Sequence, residues 1–124
     1  MVTIDDVRPL ALALPRAYEA LVRDRVKFRV GRIVWLAFSR DERFMGFAFP
    51  KQERDALIER DPDRFHRPRP SDLRYNWAVA DLNILALDEL DELVFEAWTM
   101  AVPKRLAIDF MATRSTFGYD NSSC

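Results

Sequence analysis

From Arg25 to Val30 charged and apolar residues alternate without a break, with Arg25, Lys27 and Arg29 set against Val26, Phe28 and Val30. Side chains of an extended strand point to opposite faces in turn. The pattern therefore predicts a strand with one face in a core and three cations on the other. A tight turn follows at Gly31 and Arg32. Residues 33–38 are apolar on both faces and predict a central strand covered, at least in part, on both sides. A polar turn over residues 39–43 leads to a third strand over residues 44–49. Three strands joined by short turns make an antiparallel meander.

Helical spacing frames the meander. Ile4, Val7, Leu10, Ala11 and Leu14 predict a first helix closed by Pro15. Thr3 and Asp6 resemble a capping box with Asp in place of the usual Glu. Pro9 lacks a donor and crowds the preceding turn, so the helix either kinks there or starts later, with Asp6 as cap. Residues 17–24 are ambiguous, and a short helical turn is the reading they allow. Pro50 can open a second helix over residues 51–60, with Ala56, Leu57 and Ile58 facing inward. Residues 61–72 are rich in Pro and Arg and read as a loop with a short extended piece near Phe65. Residues 75–82 predict another strand, in which Tyr75, Trp77, Val79 and Asp81 alternate with Asn76, Ala78 and Ala80. The last clear helix spans residues 88–101, with Leu90, Leu93, Val94, Ala97, Trp98 and Ala101 as its apolar stripe. Asp88, Glu89, Asp91 and Glu92 crowd its start, where negative charge suits the helix dipole. Pro103 starts a further turn or short helix containing Leu106 and Phe110. Residues 115–124 are small and polar and are expected to form a loosely held tail behind a single domain over residues 1–114.

The chain has 124 residues, which suits one domain around one core. Its net charge of -1 means that a basic footprint for nucleic acid would have to come from local patches. Cys124 is the only cysteine, so neither an internal disulfide nor a cysteine-based metal site can form. The start of the chain, with Asp5 and Asp6, does not read as a signal peptide. No apolar run approaches the roughly 20 residues needed to span a membrane. The expectation is a soluble cytoplasmic protein with no membrane role.

Two local patches are basic. Arg23, Arg25, Lys27, Arg29 and Arg32 form one, and Arg64, His66, Arg67, Arg69 and Arg74 form the other. Cations neutralising phosphates supply much of the affinity for DNA, a two-stranded ribbon can enter a major groove, and the Arg fork bonds two phosphate oxygens. The same cations also fit an ordinary solvated face that discourages edge pairing. Most aromatic residues fall at core positions, while Tyr75 and Trp77 border the basic loop beside Arg74. Enzymatic signals are sparse. His66 is the only histidine, which excludes a His-based metal cluster. The three glycines, Gly31, Gly46 and Gly118, are too far apart for a phosphate-cradling loop. Ser39, Ser71 and Thr113 have no visible base partner. No catalytic residue, cofactor or metal is expected, which leaves a cofactor-free enzyme built on carboxylates as the enzymatic alternative.

The order of motifs resembles the MmcQ/YjbR family of small bacterial proteins over roughly residues 3–107. The resemblance rests on Ala11-Leu12-Ala13-Leu14-Pro15, Phe28-Arg29-Val30-Gly31, Arg54-Asp55-Ala56-Leu57-Ile58, Asp61-Pro62-Asp63-Arg64-Phe65, Trp77, Glu96-Ala97-Trp98 and Val102-Pro103-Lys104-Arg105-Leu106. It implies a two-layer α+β domain, an antiparallel sheet packed against helices in the order helix, three strands, helix, two strands, helix. That arrangement is similar to secretion-chaperone-like domains. The strand not found by pattern would lie between Phe65 and Leu73, at an edge that tolerates Pro68 and Pro70. The chain departs from the family where Arg32 and Asn76 replace glycines and where Ala97-Trp98 replaces a Ser-Tyr pair. The family is described as DNA-binding by shape, which is fold analogy. The resulting expectation is a small non-enzymatic DNA-binding or regulatory protein. Its phosphate contacts would come from Arg23, Arg25, Lys27, Arg29, Arg32, Arg67, Arg69 and Arg74. A protein-interaction or dimerisation module, using Trp98 and Phe95, and a small-molecule binder are the alternatives.

Overall fold

The computed structural model describes residues 2–123, with side chains over residues 2–113. In chain order the elements are α1 (Ile4–Leu12), β1 (Ala17–Val22), β2 (Arg25–Val30), β3 (Ile33–Phe38), β4 (Phe44–Ala48), α2 (Lys51–Arg60), β5 (Phe65–His66), β6 (Trp77–Asp81), α3 (Leu87–Thr99) and α4 (Lys104–Ser123). A single 3-10 turn, Pro70–Asp72, interrupts the segment between β5 and β6. The six strands form one antiparallel sheet in the order β1-β2-β3-β4-β6-β5. This is the expected α+β architecture, with one strand and one long helix added. The strand implied at the sheet edge is β5, only two residues long.

Alternation along the strands builds the core. Register aligns Phe28, Leu36, Phe47 and Ala78 in one row across the sheet, and Phe38, Met45, Ala80 and Phe65 in a second. All eight are buried. The β2–β3 register shifts at Phe28 and Arg29, which oppose Leu36 and Val34, so Trp35 is an extra residue in β3. Such a bulge turns two successive side chains the same way, and Trp35 and Leu36 are both fully buried. The doubly apolar run in β3 thus reflects a bulge on one face more than cover on two.

Helices close this face. α1 buries Ile4, Val7 and Ala11, and α3 buries Leu90, Val94, Ala97 and Trp98. α1 starts at Ile4 with Pro9 inside it, so the later start is not used. The Thr3 N–H donates to the Asp6 carboxylate at 2.9 Å, which fixes that start. Trp98 donates from Nε1 to the Pro15 carbonyl at 2.9 Å and packs against Phe110 with ring centroids 5.2 Å apart. Its full burial, and the packing of Phe95 on the core, remove Trp98 from the suggested interaction surface.

Three further expectations are corrected. Residues 17–24 form β1 and a two-residue turn, not a helical turn; β1 pairs with β2 from Ala17↔Val30 to Val22↔Arg25. Arg23 and Asp24 both have positive φ, 52° and 65°, the backbone of a type I′ hairpin turn. In α2 Leu57 and, partly, Ile58 face inward as expected, but Ala56 is exposed and Arg54 is buried in its place. The helix after Pro103, expected as a turn or short helix, is long. The tail expected over residues 115–124 lies outside the residues with described side chains. No described helix is long and apolar enough to cross a membrane.

Candidate functional site

The other face of the sheet carries the 67–76 segment, which supplies Pro68, Arg69, Asp72, Tyr75 and Asn76 to its lining. Its central row runs Lys27, Ala37, Gly46, Val79, His66 through the register of β2, β3, β4, β6 and β5. Small side chains occupy the middle, Ala37 and Gly46, with Ala48 on the next row opposite Trp77. Long side chains stand at both margins. The result is a trough of about 640 Å³, with Arg25 and Lys27 on one side and Pro68, Arg69, Asp72, Tyr75, Asn76 and Trp77 on the other. The Trp77 indole lies against Gly46 so closely that an added Cβ would meet its Cζ2 and Nε1 at 2.6 Å. Gly46 is therefore required by side-chain space.

The far wall is held by a residue that the pattern of the chain did not single out. Arg54 is 7% exposed. Its Nη1 donates to the Tyr75 and Trp77 carbonyls at 3.2 and 2.9 Å, and its Nη2 to the Leu73 carbonyl at 2.8 Å. One guanidinium thus satisfies three backbone acceptors of the segment that leads into β6. Asn76 adds a second tie, its Oδ1 accepting the Lys51 N–H at 3.0 Å at the start of α2. Glycine at 76 would lack that acceptor. At the other departure, Arg32, φ is not positive and Gly31 alone, at φ 60°, supplies the turn's left-handed residue, so glycine is not required.

The expected cations divide into groups. Arg25 and Lys27 line the trough. Arg29 shares their face of β2, half-buried, its Nε without a hydrogen-bond partner. None of these three makes an ion pair among the described residues. Arg23 and Arg32 sit exposed in the turns at opposite ends of β2, on the order of 20 Å apart at strand spacing. Arg69 lines the trough and pairs with Asp72 at 3.6 Å. Arg67 pairs with Asp55 at 3.2 Å, and the Arg74 guanidinium lies 4.9 Å from the Tyr75 ring centroid. The acidic start of α3 turns elsewhere: Glu89 pairs with Arg64 and accepts the Ala86 N–H. No group of three or more His, Cys, Asp or Glu able to hold a metal occurs among the described residues.

One end of this face carries Asp81, which is 3% exposed. It accepts from Arg43 Nη2 at 3.1 Å and from the Asn83 N–H at 3.0 Å. Burial, the largest single influence, pushes the carboxyl up. The Arg43 and Asn83 hydrogen bonds, with the charges of Arg43 and His66, outweigh it and hold Asp81 below the usual carboxylate range. A folded-state pKa below the unfolded one means stability present above the unfolded value, about pH 4, and lost as pH falls through the folded value. Thermal unfolding followed down from about pH 6 is expected to show this acid loss, and Asp81→Asn to make it shallower. An unchanged acid slope in that variant would remove the assignment.

Comparison with known proteins agrees with this architecture. A family model described as YjbR matches residues 12–100. No curated protein matches. The fold is similar to the crystal structure of Deinococcus radiodurans protein DR2400, described as a DUF419 domain. The TM-score is 0.70 at 18% identity, over 81% of this chain and 78% of that one. A likeness at that identity is one of fold. With the family model covering the whole sheet together with α2 and α3, the chain belongs to the YjbR family.

Proposed function

We propose that this protein binds nucleic acid through the trough-bearing face of its sheet, as a non-enzymatic, regulatory protein. The observation that carries the reading is convergence. Arg25 and Lys27 of β2 and Arg69 of the arginine-rich loop, distant in sequence, line one trough, Arg69 with its Asp72 partner. Arg25 and Lys27 have no carboxylate partner among the described residues, so phosphate oxygens would meet them without displacing an ion pair. With a net charge of -1 the chain offers polyanions no global attraction, so binding rests on local cations. Such binding is local, salt-dependent and weaker than that of a globally basic protein.

Fluorescence anisotropy with a labelled mixed-sequence DNA, titrated across salt, tests the reading. Affinity is expected to fall linearly on a log–log plot. Arg25→Ala with Lys27→Ala should reduce the slope by roughly 1.4–1.8, two phosphate contacts at about 0.7–0.9 each. Absence of binding at about 50 mM salt would refute the proposal. Binding with an unaltered slope would refute the role of these two cations.

A further inference from the structure

We infer that the trough seats one unpaired nucleotide, so that the protein prefers single-stranded over duplex nucleic acid. This deepens, and rests on, the nucleic-acid reading above.

The shape of the face argues for it. A volume of about 640 Å³ lies within the range of sites for single small ligands, roughly 300–1,000 Å³. The floor is apolar, with Ala37, Gly46 and Val79 in one row. The indole of Trp77 lies over Gly46 and so forms part of that floor, and the 52% exposed ring of Tyr75 borders it. A duplex offers such a face only phosphates and base edges, because its bases are stacked on one another. It would touch the margins and leave the floor empty. An unpaired base offers its π-face, and base–aromatic stacking contributes about 1–3 kcal/mol per base.

Charge is distributed in the same sense. The free cations, Arg25 and Lys27, stand on the β2 margin, whereas Arg69 on the opposite margin is already engaged with Asp72. One unneutralised margin suits the backbone of one strand. A base extended from that backbone across the small side chains would reach Trp77. Gly46 is what leaves room for the indole at that point, since any Cβ there would displace it.

The test uses the intact protein with an oligothymidylate of about 12 nucleotides and a mixed-sequence duplex of equal length, both at about 50 mM salt. Tryptophan emission supplies a second readout, because Trp35 and Trp98 are fully buried and Trp77 is not. The single strand is expected to bind roughly tenfold or more tighter than the duplex and to quench emission. Tyr75→Ala, at an exposed side chain, and Trp77→Ala should each reduce single-strand affinity by roughly tenfold while leaving duplex affinity unchanged. Trp77→Phe should abolish the quenching. Equal or tighter binding of duplex, or single-strand binding without quenching, overturns the inference and leaves the broader reading standing. Failure of both probes to bind overturns both.

Discussion

Arg54→Met is expected to lower folding stability by about 2–4 kcal/mol, the scale for three hydrogen bonds from a charged donor, partly offset by relaxation. The side chain is replaced by one of similar length, so little cavity is opened. What is lost is the bonding of the Leu73, Tyr75 and Trp77 carbonyls. An acceptor left fully buried without a partner costs about 1–3 kcal/mol, and these three are only part-buried, so relaxation of the segment toward water lowers the sum. Arg54→Lys should recover only part of the loss, because one ammonium cannot reproduce a planar fork. The effect should also be local. Arg67 and Arg69 each precede proline, so Arg74 is the tryptic site in the segment that the guanidinium holds. Cleavage after Arg74 is expected to accelerate more than the global loss of stability explains. Thermal unfolding with a midpoint unchanged within about 2 °C would show that the carbonyls find other partners.

Trp98→Ala is the second large effect, at about 3–5 kcal/mol for a fully buried Trp. The indole fills the junction of α1, α3 and α4, against Phe95 and Phe110. It also donates to the Pro15 carbonyl. Trp98→Phe separates the two contributions, since a ring remains and the donor does not. The loss of that hydrogen bond should account for about 1–2 kcal/mol. Denaturant unfolding of the two variants reads both numbers. Equal midpoints for Trp98→Phe and the parent chain would show that the Pro15 carbonyl needs no partner. Trp98 does not line the trough, so a folded Trp98→Phe protein should bind nucleic acid as the parent does.

The parts of the fold legible in the sequence are those where one face is buried and the other is not. In β2 the alternation of Val26, Phe28 and Val30 with cations follows from that asymmetry, and so does the stripe of Leu90, Val94 and Ala97 in α3. β1 was obscured because, as an edge strand, it buries neither face strongly. Its turn, Arg23-Asp24, also lacks the Asn-Gly signal that a type I′ hairpin usually carries. The inward turn of Arg54 was hidden for a different reason. An arginine on a polar helix reads as solvated, and only the carbonyls of a segment some 20 residues further on explain its burial. The candidate site was legible as two basic patches. The trough between them was not, because its depth comes from small residues, Ala37, Gly46 and Ala48, that bear no chemistry of their own.

That trough has a consequence for how the chain can change over time. Nearly all its lining falls between Arg25 and Val79, whereas the junction beneath the sheet needs Pro15 and Trp98, from opposite ends of the chain. The helix junction and the ligand face therefore draw on different stretches of the gene, while the sheet core, with Phe28, Leu36, Phe47 and Ala78, alternates with the trough residues along the same strands. Substitutions at the junction can erode or restore robustness while the ligand face is held. Within the strands, drift toward a new ligand is confined to the outward-facing positions, because their immediate neighbours are core.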